Sequence, residues 1–243
     1  SPKGRLLATP RLFQEGDTIG MIVAASNADY LVKRLKMYVL RSKVTIERAA
    51  DREVAGFVGS APTNLGDGAL VFELPCALPQ ARIAAALPSG LGLAIVPKGT
   101  VCAGSEPLWW AACAAAGQSW VFGETAERFT PHAVNLDLIG GISFNKGCYT
   151  GQEVVSRIEH IGKTNRRTVL LAANDPLELA PGTDLTDNQG QVVATVLYGA
   201  KLADRTLLLA EVSTETAQSE AALDTTAATL HRLPLPYGWT RTK

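Results

Sequence analysis

The chain has 243 residues, 23 Lys and Arg against 23 Asp and Glu, and 47% hydrophobic residues. That length suffices for one large or two to three small domains, with a core that needs neither disulfide nor metal. A formal net charge of zero argues against wholesale coating of DNA and against charged disorder, and leaves room for a local basic patch. Four widely spaced cysteines (Cys76, Cys102, Cys113, Cys148) without a Cys-x-x-Cys pair fit free thiols in a reducing, cytoplasmic compartment.

The longest apolar stretch, 83–96, is broken by Pro88, Gly90 and Gly92, short of the roughly 20 residues a bilayer span requires. Ser1-Pro2-Lys3-Gly4-Arg5 carries no apolar signal region, and the strand-like pattern of 5–13 suggests a numbering that opens inside a domain. Residues 5–13 and 18–24 read as strands around Gln14-Glu15-Gly16-Asp17. Asn27 is placed to cap a helix over 28–39, with Leu31, Leu35 and Tyr38 as its apolar stripe and Lys33, Arg34 and Lys36 toward water. Strands are predicted over 44–48 and 55–58, then a linker over 60–68.

Short strands over 69–93 and 95–101 lead to a helix over 106–116, with Gly117 suited to its C-terminal cap. After an irregular stretch, a short helix is predicted over 151–160, closed by Gly162. The β-rich runs 168–173, 191–198, 206–212 and 227–233, separated by turns such as Asp187-Asn188-Gln189-Gly190, suggest a small antiparallel barrel or sandwich. The expected division is a first lobe over 1–60, a second over 61–165 and a β-barrel over 166–243.

Several signatures are excluded. Gly162-Lys163-Thr164 ends like a P-loop, but Arg157 stands where its first glycine would be, and Ile95 replaces the third glycine of a dinucleotide fingerprint after Gly90 and Gly92. There is no Gly-x-Ser-x-Gly elbow. His132, His160 and His231 are far apart and read as structural or solvated, His160 as a cation at a helix C-terminus. Trp109, Trp110, Trp120 and Phe122 suit either a flat heterocycle or a core. Arg157, Lys163, Arg166 and Arg167 form a basic group that could hold a polyanion or lie on a solvated face.

The informative stretch is Lys146-Gly147-Cys148-Tyr149-Thr150-Gly151-Gln152-Glu153. Thr150 and Glu153 have the spacing of a capping box. Cys148 then lies at the positive end of a helix beside Lys146, two features that favour thiolate and lower a thiol pKa from its usual value of roughly 8.5. Gly147 and Gly151 allow close backbone approach.

With Arg157 and Arg166-Arg167, this stretch resembles the signature of the YgfZ folate-binding proteins, relatives of the glycine cleavage T-protein, an aminomethyltransferase. Gly4-Arg5-Leu6-Leu7-Ala8, Leu40-Arg41-Ser42-Lys43-Val44, Pro131-His132-Ala133-Val134-Asn135-Leu136 and Gly141-Ile142-Ser143-Phe144 fit the same pattern. The resemblance implies an α+β, three-lobed aminomethyltransferase-like folate-binding fold with a C-terminal antiparallel β-barrel. It also implies a stretch of sequence before Gly4.

The implied function is that of a tetrahydrofolate-binding accessory in iron–sulfur cluster assembly or repair. Its partners would be cluster-assembly proteins or client enzymes, including tRNA-modifying ones, with no direct DNA binding and no membrane. Cys148 and Lys146 would be the reactive pair, and Tyr149, Gly151, Gln152 and Arg157 would contact the ligand. The alternative is a folate-dependent aminomethyltransferase. Against it, Ala8 and Thr9 stand where the transferases carry acidic residues, and Ala115 replaces the glutamate ahead of the Ala116-Gly117 pair. Loss of the acidic residue at the Ala8–Thr9 positions removes the main stabiliser of a developing cation, and loss of the glutamate at Ala115 removes a hydrogen-bond partner for the pterin edge.

Overall fold

The computed structural model describes residues 1–74, 90–160 and 164–238. Cys76, the strands expected within 75–89, Gly162 and Lys163 lie outside these residues. Strands β1 (Arg11–Glu15) and β2 (Thr18–Ile22) form an antiparallel hairpin whose turn uses Gly16 at a φ of 57°. The strand expected over 5–13 begins only at Arg11. Residues before it run irregularly, pinned by a Leu6 N–H bond to the Phe129 carbonyl and a Glu127 N–H bond to the Leu6 carbonyl.

Helix α1 spans Ala25–Lys36, so Asn27 is not its cap. Asn27 sits in the first turn, 1% exposed, and donates from Nδ2 to the carbonyl of Val121. A buried amide must find a partner, and a distant carbonyl supplies it here. Leu31 and Leu35 are half-buried, whereas Tyr38 lies past the helix end and is exposed. No strand forms over 44–48.

Strands β3 (Arg52–Val58), β4 (Leu70–Glu73) and β5 (Leu91–Pro97) form an antiparallel sheet in the order β3-β5-β4. Gly56 and Gly92 leave a notch in it. A Cβ on Gly56 would come within 2.1 Å of Trp109 Nε1, and that nitrogen donates to the Gly92 carbonyl at 3.4 Å. Helix α2 (Glu106–Ala115) supplies Trp109 and buries Ala111 to Ala115. Ser105 caps its start by accepting the Leu108 N–H. Its end is a Schellman turn: Gly117, at a φ of 63°, donates to Ala114, and Gln118 to Cys113.

A turn-rich stretch over 131–140 leads to α3 (Gln152–His160), a little shorter at its start than predicted. The remaining strands are β6 (Arg166–Ala173), β7 (Asp184–Thr186), β8 (Val192–Lys201), β9 (Thr206–Ser213), β10 (Leu223–Asp224) and β11 (Thr229–Leu233). Together they build an antiparallel sheet ordered β10-β11-β6-β9-β8-β7. The sheet curls so that the Thr226 N–H, just past β10, reaches the Thr186 carbonyl of β7 at 2.8 Å. The segments β7, β10 and α4 (Thr214–Gln218) are too short to announce themselves by periodicity.

Both faces of this sheet are covered. Val169, Leu171, Val196, Leu208 and Ala210 fill the curl, while Leu170, Leu197 and Leu209 face α2, β5 and Trp120. A bulge in β8 skips Leu197 in the pairing, so Tyr198 joins it on the α2 side instead of alternating inward. The Tyr198 hydroxyl then donates to the Gln118 carbonyl at 2.5 Å. Among the described residues no helix is long and apolar enough to cross a membrane.

Candidate functional site

Residues Lys146 to Thr150 form an exposed loop entering α3, and the Cys148 sulfur is free and exposed. Gly151 fixes the loop's end. It adopts a φ of 88°, and a Cβ there would lie 2.3 Å from the Ser1 carbonyl oxygen and 2.9 Å from Gly4 N. Gly4, at a φ of 66°, packs in turn on Val154 of α3. Gly147 has open space where a Cβ would be, so only one of the two motif glycines serves close approach. Upstream, Phe144 lies between the rings of His132 and His160, 6.1 and 6.3 Å away.

The predicted capping box does not form. Glu153 pairs with Arg157 at 2.6 Å, one turn on, and the reciprocal contact shifts by one residue: Gln152 Oε1 accepts the Tyr149 N–H at 3.3 Å. The first α-helical bond runs from the Val155 N–H to the Gly151 carbonyl. Gly151 therefore occupies the cap, because its positive φ suits the approach of Gly4 and leaves Thr150 outside the helix. Lys146, Tyr149 and Thr150 are exposed beside Cys148.

The basic group does not assemble into an open anion site among the described residues. Arg157 pairs with Glu153, Arg166 with Glu211 at 2.5 Å, and Arg167 with Asp137 through two bonds of 2.7 and 2.9 Å. Arg167 and Asp137 are buried, and Arg167 also donates to the carbonyl of His132. His132 Nε2 lies 3.2 Å from Glu159 Oε2 of α3, which ties the 131–140 stretch to the helix behind the cysteine loop. One ligand atom each from His132, Asp137 and Glu159 falls within 4.8 Å of the others. Both Asp137 oxygens are engaged by the Arg167 cation, so the group reads as an ion-pair network and not a metal centre.

A second constellation gathers the predicted aromatic residues around Tyr198 and Arg11. Trp109, Trp110, Trp120, Phe122 and Tyr198 pack with centroids 4.6 to 6.0 Å apart, edge to face except for the tilted Trp110–Phe122 pair. Arg11 of β1 lies 3.8 Å over the Trp120 ring and donates to Gln118 Oε1 at 3.0 Å. Burial pulls the Arg11 pKa down, and no carboxylate pairs with it among the described residues. The buried Trp120 Nε1 has no hydrogen-bond partner among the described residues. The aromatic residues were visible as candidates. Arg11 was not, because a cation opening an apolar strand gives no local hint of a tryptophan 109 positions away. Two surface hollows, between Ala173, Arg205 and His231 and between Val169, Arg232 and Leu235, contain no motif residue.

No model of a known protein family matches the chain. By architecture it is a protein of the aminomethyltransferase-like fold. It superposes on the crystal structure of glycine cleavage system aminomethyltransferase T from Bartonella henselae with a TM-score of 0.65, covering 97% of this chain and 73% of that one at 13% identity. By sequence, it is 31% identical over 260 residues to the tRNA-modifying protein YgfZ of Yersinia pestis (strain Pestoides F), covering 97% of this chain and 78% of the relative. The YgfZ of Shigella boydii serotype 4 (strain Sb227) is 31% identical over 259 residues, with 97% and 79% covered. The chain belongs to the YgfZ family.

Proposed function

We propose that this chain is an accessory protein in iron–sulfur cluster assembly or repair that serves cluster-dependent enzymes, tRNA-modifying ones among them. Its ligand is tetrahydrofolate or a derivative, and Cys148 is its reactive thiol. The observation that carries the reading is the Cys148 sulfur itself, exposed on a loop held by Gly151 against Gly4 and by Phe144 between two histidines. Lys146 is close enough in sequence to favour an anion at that loop. The YgfZ relatives are named as tRNA-modifying proteins, which supports the link to RNA modification.

The donor set fits a folate in kind. The orphaned Trp120 N–H and the carboxylate-free Arg11 match carbonyl and carboxylate acceptors beside a wall of flat rings. On the cysteine side, Tyr149, Gly151, Gln152 and Arg157 are assigned to the same ligand, Arg157 exchanging Glu153 for the glutamate tail. A bound tetrahydrofolate would supply a one-carbon carrier.

The fold likeness favours aminomethyl transfer as a second reading. Against it, Ala8 offers no carboxylate, the Thr9 hydroxyl accepts the Val121 N–H at 3.0 Å, and Ala115 is buried in α2. An assay for folate-dependent aminomethyl transfer is expected to show no turnover at ordinary enzymatic rates.

The deciding experiment is Cys148→Ala in a strain lacking the endogenous protein. Iron–sulfur enzyme activity is expected to stay at the deletion level while the melting temperature of the variant is unchanged. Full rescue removes Cys148 from the mechanism. A tryptophan-fluorescence titration with tetrahydrofolate is expected to saturate, and Arg11→Leu to weaken it at least tenfold.

A further inference from the structure

The described chain carries one strongly asymmetric surface. Residues 25–50 hold six basic side chains, Lys33, Arg34, Lys36, Arg41, Lys43 and Arg48, against Asp29 and Glu47, in a chain whose overall formal net charge is zero. Three of the cations fill the last turn of α1, and Arg41 and Lys43 follow within seven residues of its end. Arg48 folds the loop back on the helix by pairing with Asp29 at 3.0 Å. Lys33, Arg34, Lys36, Arg41 and Lys43 have no carboxylate partner among the described residues. A helix C-terminus gains from one or two nearby cations, and five unpaired ones exceed that need.

Aromatic and apolar side chains stand between these charges. Tyr30, Met37, Tyr38 and Leu40 are exposed, Tyr38 by 62% and Leu40 by 88%, and the Arg34 guanidinium lies 5.4 Å over the Tyr38 ring. Cations that track phosphates, interleaved with flat side chains on which bases stack, are the chemistry of an RNA-binding face. An acidic protein segment would satisfy the charges but give the exposed tyrosines no matching partner. We propose that the end of α1 and the loop to Arg48 form a docking surface for RNA with unpaired bases, held through its phosphate backbone. This surface is built from other residues than the thiol and folate site, and the two readings stand or fall separately.

The test is fluorescence anisotropy of the full chain with a 5′-labelled tRNA transcript at about 50 mM salt, repeated across a salt series. Saturable binding is expected, with five phosphate contacts giving a slope of about −3.5 to −4.5 in log affinity against log salt. The pairs Lys33→Glu with Lys36→Glu, and Arg41→Glu with Lys43→Glu, should each weaken it at least tenfold. Lys36→Ala should lower the slope by about one. The same variants should keep the parent melting temperature, Cys148 alkylation rate and tetrahydrofolate titration, which separates this surface from the ligand site. Failure of the transcript to bind, or binding that both charge reversals leave intact, overturns the proposal. Displacement of the transcript by poly-glutamate at matched charge also overturns it, in favour of an acidic protein partner.

Discussion

Gly4 and Gly151 touch backbone to backbone: a Cβ on Gly151 would sit 2.9 Å from Gly4 N and 3.0 Å from Gly4 Cα. The start of the described chain and the entry to α3 are thereby locked together just behind Cys148. Gly151→Ala combines a left-handed backbone with a clash against main-chain atoms that cannot swing away. It is expected to destabilise the fold by about 1–3 kcal/mol. Gly147→Ala, with open space around it, should change stability by less than about 0.5 kcal/mol. Urea unfolding of the two variants provides the comparison, and equal effects would contradict the packing.

The Asp137–Arg167 pair carries charge into the junction between the 131–140 stretch and β6, with side chains only 5% and 10% exposed. Asp137→Asn leaves a buried guanidinium uncompensated, which costs about 3–5 kcal/mol. Replacing both partners, as Asp137→Leu with Arg167→Met, should cost far less than the single change, since no lone charge is left inside. Equilibrium denaturation of the single and double variants reads the difference.

Tyr237 donates to the Gly117 carbonyl at 3.1 Å, and burial pushes its pKa up to about 12 from an ordinary 10. Burial pushes the Tyr198 hydroxyl up as well. Between pH 10 and 12 the unfolded chain gives up these protons while the folded one keeps them. The unfolded state then binds fewer protons, so stability is full below the unfolded value and falls as pH rises. Tyr237→Phe should make the decline over that interval shallower, as measured by melting temperature against pH. An unchanged slope would mean that Tyr237 titrates as it does in solution.

The described cysteines differ in access: Cys102 and Cys148 are exposed, and Cys113 is sealed inside α2. Iodoacetamide on the native protein is expected to label Cys102 and Cys148 and to spare Cys113 until denaturant is added. Peptide mass mapping reads each site. Protection of Cys148 in the native chain would remove the accessibility on which its proposed role depends.

Local pattern alone marked the β1–β2 hairpin, α2 with its glycine cap, the cysteine loop before α3 and the β-rich C-terminal run. Each rests on residues near one another in the chain, where side-chain period and turn chemistry act directly. Partners distant in sequence were decided only by the tertiary structure. Asn27 left its cap position for the Val121 carbonyl, Arg157, Arg166 and Arg167 dispersed to three different carboxylates, and Arg11 came to rest on Trp120. The Leu197 bulge turned Tyr198 onto α2, against the alternation its strand would otherwise follow. A buried polar group takes whichever partner the packed layers bring within reach, and that depends on how sheets and helices meet, which no short window of residues encodes.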